Sequence, residues 1–235
     1  MTYDDALTFL DSLTNFERRH DAQAMQQVRL DRMRLLCRRL GAPQQLFRSI
    51  LVGGTNGKGS ICAMLYSILR AAGFRVGLYT SPHLYDVRER IRVSGVAAES
   101  SGQAESSGNL DWISREEFSQ LTDQLRAVIQ DGGWPEGPPT YFEAITAIAL
   151  AHFAQRRVQW AVLEVGLGGR LDATNVVDPA VSVLGPVGFD HMDVLGDTLL
   201  AIASEKAGIL RPGRAVISAA QDDGVSALFR RLTDD

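Results

Sequence analysis

Val52-Gly53-Gly54-Thr55-Asn56-Gly57-Lys58-Gly59-Ser60 lies between an apolar run ending at Val52 and a helical pattern starting at Ile61. Four of the seven residues from Gly53 to Gly59 are glycine, so the backbone can fold closely enough for successive N–H groups to point inward. The following helix presents its positive end and Lys58 adds a mobile full charge, which together suit a nucleotide triphosphate. A strict phosphate-loop pattern has Ser or Thr directly after the Lys to hold magnesium, whereas here Gly59 intervenes before Ser60. The bland alternative is a glycine-rich turn between strand and helix; the lysine and its context favour ATP or a relative.

Working outward, Phe47 to Val52 reads as a buried strand feeding the loop. Ile61, Met64, Leu65, Ile68, Leu69 and Ala72 give the next helix an apolar face, and Gly73 ends it. A second short strand is expected at 75–80. Strand, loop, helix and strand in this order call for a parallel sheet, so the fold class is α/β: a P-loop-type, mostly parallel sheet flanked by helices. Ser81-Pro82-His83-Leu84 follows the second strand at its C-terminal end, where open α/β sheets place their ligands.

The composition, 235 residues with 45% hydrophobic and 22% charged, excludes disordered and fibrous classes. No apolar run is long enough to span a bilayer and Asp4 and Asp5 come early, so no membrane partner is expected and the chain reads as cytosolic. A formal charge of -4 gives no reason to expect nucleic acid. Cys37 and Cys62 are too few for a disulfide framework or a zinc site and read as buried free thiols.

Before the loop, amphipathic helices are expected at 3–13 and 28–40, the second stopped by Gly41 and Pro43. After it, 89–93 reads as a short strand or edge, and about 95–110 as a flexible insertion of Ser, Gly, Ala and Glu. A helix over 115–130 carries Phe118, Leu121, Leu125, Val128 and Ile129 inward. Thr140 and Glu143 open another with capping-box spacing, leaving a cap and a ligand role both open for Thr140.

Trp160-Ala161-Val162-Leu163-Glu164 is an apolar strand ending in a carboxylate, followed by glycine-rich Gly166-Leu167-Gly168-Gly169-Arg170-Leu171-Asp172-Ala173-Thr174-Asn175. That position puts Glu164 at the same sheet edge as the phosphate loop, where an oxygen ligand for magnesium is its natural role; an ion-paired strand-end Glu is the alternative. A further strand over 180–187 runs into Gly188-Phe189-Asp190-His191, and His191 alone could be a ligand or a satisfied loop histidine. Asp197 reads as the cap of a helix whose last turn is Glu205-Lys206-Ala207-Gly208-Ile209, where a lysine is ordinarily surface charge complementing the dipole.

Taken together and in this order, Gly54 through Ser60, Thr80-Ser81-Pro82-His83-Leu84, Glu164 through Asn175, Gly188 through His191 and Glu205 through Ile209 resemble the folylpolyglutamate synthase/dihydrofolate synthase family of the Mur ligase superfamily. The resemblance runs from the Leu30-Asp31-Arg32 region to Arg211-Pro212-Gly213. It implies an ATP-dependent amide ligase that activates a dihydropteroate or folate carboxylate as an acyl phosphate, which the amine of L-glutamate then attacks. By the same resemblance, Thr55, Asn56, Gly57, Lys58, Gly59 and Ser60 hold the ATP phosphates, Ser81 and Glu164 are ligands of one magnesium, and His191 of a second. Lys58, His191 and Lys206 are the catalytic set, with Lys206 matching a lysine that carbon dioxide carbamylates. Gln26, Gln27, Val28, Thr140, Leu171, Asp172 and Ala173 match positions lining the pterin pocket. Family members are expected to be monomers.

Two departures stand out. Gly185 occupies a position where the family usually has Thr, and the insertion after Arg92 lengthens a loop. The family continues with a second α/β domain, so residues 1–220 read as the ATP-binding domain, 221–235 as the start of a linker, and the whole as a truncated form. The rival readings are another Mur-type amide ligase and a non-catalytic ATP- or pterin-binding fragment.

Overall fold

The computed structural model describes residues 1–16, 29–95 and 111–233. In chain order the helices and strands are α1 (Tyr3–Ser12), α2 (Leu30–Arg39), β1 (Arg48–Gly53), α3 (Lys58–Ala71), β2 (Val76–Tyr79), β3 (Ile91–Val93), α4 (Arg115–Gln130), α5 (Tyr141–Gln155), β4 (Trp160–Glu164), β5 (Val181–Leu184), the short α6 (Met192–Leu195), α7 (Leu199–Lys206), β6 (Ala215–Ser218) and α8 (Asp223–Thr233). The six strands form one sheet in the order β3-β2-β4-β1-β5-β6. Every pairing is parallel except β2 with β3. The α/β, mostly parallel architecture read from the sequence is therefore present, with one antiparallel edge.

Alternation along the strands divides the core. Ile50 and Val52 of β1 face one way and pack with Cys62 and Tyr66 of α3, Val162 and Val183. Leu51 faces the other way, into a larger core with Tyr79, Leu163, Leu184 and the helices α1, α2, α4 and α5. Helix α5 is apolar nearly all round because it is sandwiched: Ala144, Ile145, Ala147, Ile148, Ala149, Leu150 and Phe153 are all buried. The two cysteines are buried and free, as expected.

Four details depart from the sequence reading. On α3 the fully buried residues are Cys62 and Tyr66; Ile61, Leu65 and Leu69 of the expected face pack beside them, while Met64 and Ile68 are exposed because the helix is turned toward Cys62 and Tyr66. The cap of α7 is Thr198, whose hydroxyl accepts from Ala201 N, and not Asp197. β6 was not anticipated. The stretch expected to start a linker carries α8, whose Val225 and Phe229 are buried and which packs on α7.

Arg32 and Glu143 link α2 to the start of α5. Arg32 donates its Nε to Glu143 Oε2 at 2.8 Å, and both side chains are almost fully buried. The expected insertion, apart from Gly95, falls on 96–110, outside the described residues.

Candidate functional site

The phosphate-type loop leaves β1 at Gly53 and enters α3 at Lys58, with Gly57 at φ +77° as the left-handed residue before the helix. Gly54, at φ +135°, lies against the backbone of Gly185; a Cβ at Gly54 would come within 3.0 Å of Gly185 Cα. A side chain at Gly185 would in turn press on Asn56 O at 3.3 Å, so this loop and its glycine neighbour fit as a pair. Thr55 is buried and fastens the loop sideways: its amide donates to Pro186 O at 2.9 Å. Its hydroxyl both donates to Gly188 O at 3.1 Å and accepts from Gly188 N at 3.0 Å. Asn56, Gly57 and Ser60 are exposed at the mouth, and Lys58 and Gly59 are half-buried. Lys58 Nζ donates to Thr55 O at 3.1 Å, folding its charge over the loop.

Glu164 ends β4 directly beside β1, in register with Val52. Its carboxylate is 3.6 Å from where a Cβ on Gly59 would be, so it occupies the surroundings of the residue at which an ordinary phosphate loop carries a hydroxyl. Ser81 N donates to Glu164 Oε2 at 3.1 Å, which brings the end of β2 to the same point. Burial pushes the Glu164 carboxyl above its ordinary value against the opposing pull of the Ser81 amide, Lys58 and Arg90. A buried carboxylate whose ionised form is under-compensated is a good receptor for a cation.

Lys206 is not surface charge. It is 3% exposed, and its Nζ donates to Gly54 O at 2.9 Å. Burial, with Lys58 nearby, lowers its pKa from 10.5 to about 8, while Asp190 pulls the other way. His191 stands at φ +47° just before α6, its side chain 41% exposed and its Nε2 3.6 Å from Asp190 Oδ1. It therefore faces solvent and does not satisfy the core.

The Gly-Gly-Arg turn is seated on the end of α7. A Cβ at Gly169 would meet the carbonyls of Glu205 and Lys206 at 2.8 Å, and one at Gly208 would collide with Arg170. Asn175 pins the same turn by donating to Arg170 O and Gly208 O while accepting from Arg211. Asp172 is buried and spends its carboxylate on the loop, accepting from Leu167 N and from the amide and hydroxyl of Thr174. Burial raises its pKa against those bonds. Ala173 is buried, and Leu171 is 42% exposed. The turn at Ala173–Val176 packs on α2 and α5.

Thr140 makes the reciprocal cap, its hydroxyl donating to Glu143 Oε2 at 2.9 Å and accepting from Glu143 N at 3.3 Å. Of the two roles left open for it, the cap is what the geometry displays. Gln26, Gln27 and Val28 lie outside the described residues.

Sequence reading missed the role of Glu89. Its carboxylate accepts from the amides of Leu84, Tyr85 and Asp86 at 2.8 to 2.9 Å, holding that turn with Leu84 and Tyr85 turned outward, 82% and 95% exposed. The Asp86–Glu89 spacing of a capping box was available as a signal.

A glycine-rich loop at a strand-to-helix junction, a buried carboxylate from the neighbouring strand end and a buried lysine under the loop thus converge at the C-terminal edge of the sheet. Among curated proteins, the chain is 41% identical over 192 residues to the dihydrofolate synthase/folylpolyglutamate synthase of Bacillus subtilis, a match covering 81% of this chain and 41% of that protein. The chain belongs to the folylpolyglutamate synthase/dihydrofolate synthase family. A solved FPGS-AMPPCP-folate complex superposes with a TM-score of 0.82 at 34% identity, over 99% of this chain and 52% of that one. E. coli FolC in complex with DHPP and ADP gives 0.78 at 33%, over 99% and 50%. The chain thus spans about half the length of these family members, or less. No protein-family model matches it.

Among the described residues no three His, Cys, Asp or Glu side chains cluster closely enough to hold a metal by themselves. Among the described residues no helix is long and apolar enough to cross a membrane.

Proposed function

We propose that the chain is the ATP-binding part of a ligase that joins L-glutamate to the carboxylate of dihydropteroate or a folate, by way of an acyl phosphate. The observation that carries the reading is the convergence of Lys58, Glu164 and Lys206 on one glycine-rich loop, in a family whose solved members hold AMPPCP, ADP, folate and DHPP.

In this reading the amides from Gly54 to Ser60 and the positive end of α3 hold the phosphates, and Lys58 leaves Thr55 O to bridge them. Ser81 and Glu164 would hold one magnesium and His191 a second. Magnesium, when bound, neutralises phosphate charge and favours attack of the substrate carboxylate on the γ-phosphorus. The lowered pKa of Lys206 makes its free amine accessible near neutral pH. That amine adds to the carbon of carbon dioxide, an N–C bond forming as a proton passes to water, and the resulting carbamate is an anion suited to a site with two cations. Leu171, Ala173 and Thr140 form the pterin side, with Asp172 and the Thr140–Glu143 cap fixing its walls. The substrates are small and soluble, the protein is cytoplasmic, and it acts as a monomer.

The test is direct binding of MgATP and of dihydropteroate to the chain, followed by chromatographic detection of a glutamate conjugate when the rest of a family member is supplied in trans. Binding of both ligands with conjugate formation is the expected result. Binding without conjugate would favour a non-catalytic binding module, and absence of both bindings would overturn the reading.

A further inference from the structure

β6 stops pairing with β5 before the segment that leads to His191. The last backbone bond between them runs from Ala219 N to Leu184 O at 2.8 Å. Beyond it, the side-chain amide of Gln221 takes over. Gln221 Nε2 donates to Gly185 O at 2.9 Å, and Gln221 Oε1 accepts from Val187 N at 2.9 Å. Ser218 Oγ, accepting from the same Nε2 at 3.1 Å, fixes which way the amide points. One side chain thus supplies the donor and the acceptor that a further strand residue would have supplied.

The opposite edge of the same segment is held by the phosphate loop. Gly185 N donates to Gly53 O, Thr55 N to Pro186 O, and the Thr55 hydroxyl exchanges bonds with both backbone groups of Gly188. Residues 185–188 are therefore clamped between Gln221 on one side and Gly53 and Thr55 on the other, two or three residues before Asp190 and His191. Gly185 and Gly188 leave this stretch without side chains at two of its four positions, so the clamp supplies order that packing cannot.

We infer that Gln221 is a positioning residue for the nucleotide site: by pairing with Gly185 and Val187 it sets the height of the 185–188 segment against Thr55, and through it the places of the phosphate loop and His191. The inference rests on the nucleotide-binding reading above for its effect on affinity, but its structural half does not.

Two variants separate these. Gln221→Met keeps the length and removes both bonds; Gln221→Glu keeps an acceptor for Val187 N and loses the donor to Gly185 O. Amide hydrogen exchange on the nucleotide-free chain is the first measurement. Faster exchange in Gln221→Met is expected at Val187 and also, across the segment, at Thr55 and Gly188, with Gln221→Glu intermediate. Calorimetry with MgATP is the second, and an affinity loss of about tenfold is expected for Gln221→Met from two lost bonds. Faster exchange confined to Val187 with wild-type affinity would overturn the inference and leave Gln221 a local tie. If the wild-type chain binds no ATP, the functional reading fails while spread of exchange to Thr55 still decides the coupling. Should Gln221→Met fail to fold, Gln221→Glu carries both measurements.

Discussion

Lys206 Nζ donates to the carbonyl oxygen of Gly54 at 2.9 Å, joining the last turn of α7 to the phosphate loop across 152 residues of sequence. The bond buries a cation, and its cost has a pH signature. Because the folded-state pKa, about 8, lies below the ordinary 10.5, the unfolded chain binds more protons between those values. Stability should therefore rise as pH climbs from about 8 to about 10.5, and Lys206→Met should remove that rise. Urea midpoints measured across the range check it; equal slopes in both proteins would contradict it.

The acid side has its own group. Burial, aided by Arg156 and opposed by Glu117, lowers His152 from 6.5 to about 4. The unfolded chain then takes up a proton first as pH falls, so stability should drop between about 6.5 and 4. His152→Leu should flatten this limb, read from the same denaturation series.

Lys58 faces the mouth of the loop and in the nucleotide-free chain bonds only to Thr55 O among the described hydrogen bonds. Lys58→Ala should leave the melting temperature nearly unchanged and weaken ATP binding by about 2 to 5 kcal/mol, the range for truncating one partner of a buried charge pair. Calorimetry with ATP decides it, and unchanged affinity would reduce the glycine-rich stretch to a turn.

Breaking the Arg32–Glu143 pair should be costly in a different way. Glu143 also accepts from the amide and hydroxyl of Thr140, so Glu143→Leu strands both the buried guanidinium and the cap. A loss of about 3 to 5 kcal/mol is expected, as for other buried ions left without a partner. Arg32→Met with Glu143→Leu together should recover part of it, which a double-mutant cycle would measure.

How far these features could be read in advance depended on whether a local signal accompanied them. The apolar runs ending at Val52 and Glu164, the glycines around Lys58 and the Thr140–Glu143 spacing each carry their meaning within a few residues, and the parallel sheet and its ligand edge followed from them. Burial of charge did not. Arg32 and Lys206 sit at helix positions where solvent exposure is the ordinary expectation, and only tertiary partners, Glu143 and Gly54 O, make them interior. On α3 the helical stripe is legible in part: Ile61, Leu65 and Leu69 pack against the sheet, but the helix is turned so that Cys62 and Tyr66 are innermost and Met64 and Ile68 stay exposed. β6 gives little signal because three of its four residues are exposed, and the apolar stripe of α8, Val225, Leu228 and Phe229, falls in a short stretch read as linker after Pro212 and Gly213.

Glu164 is the residue on which the proposed function turns, since its carboxylate stands beside Gly59, where an ordinary phosphate loop carries a hydroxyl, and burial holds it above its ordinary range. The most direct measurement is ATP affinity of the chain with and without magnesium, in wild type and in Glu164→Gln. The account predicts magnesium-dependent binding in the wild type and loss of that dependence in Glu164→Gln, with the fold intact by circular dichroism. Magnesium-dependent affinity in Glu164→Gln equal to that of the wild type would contradict it.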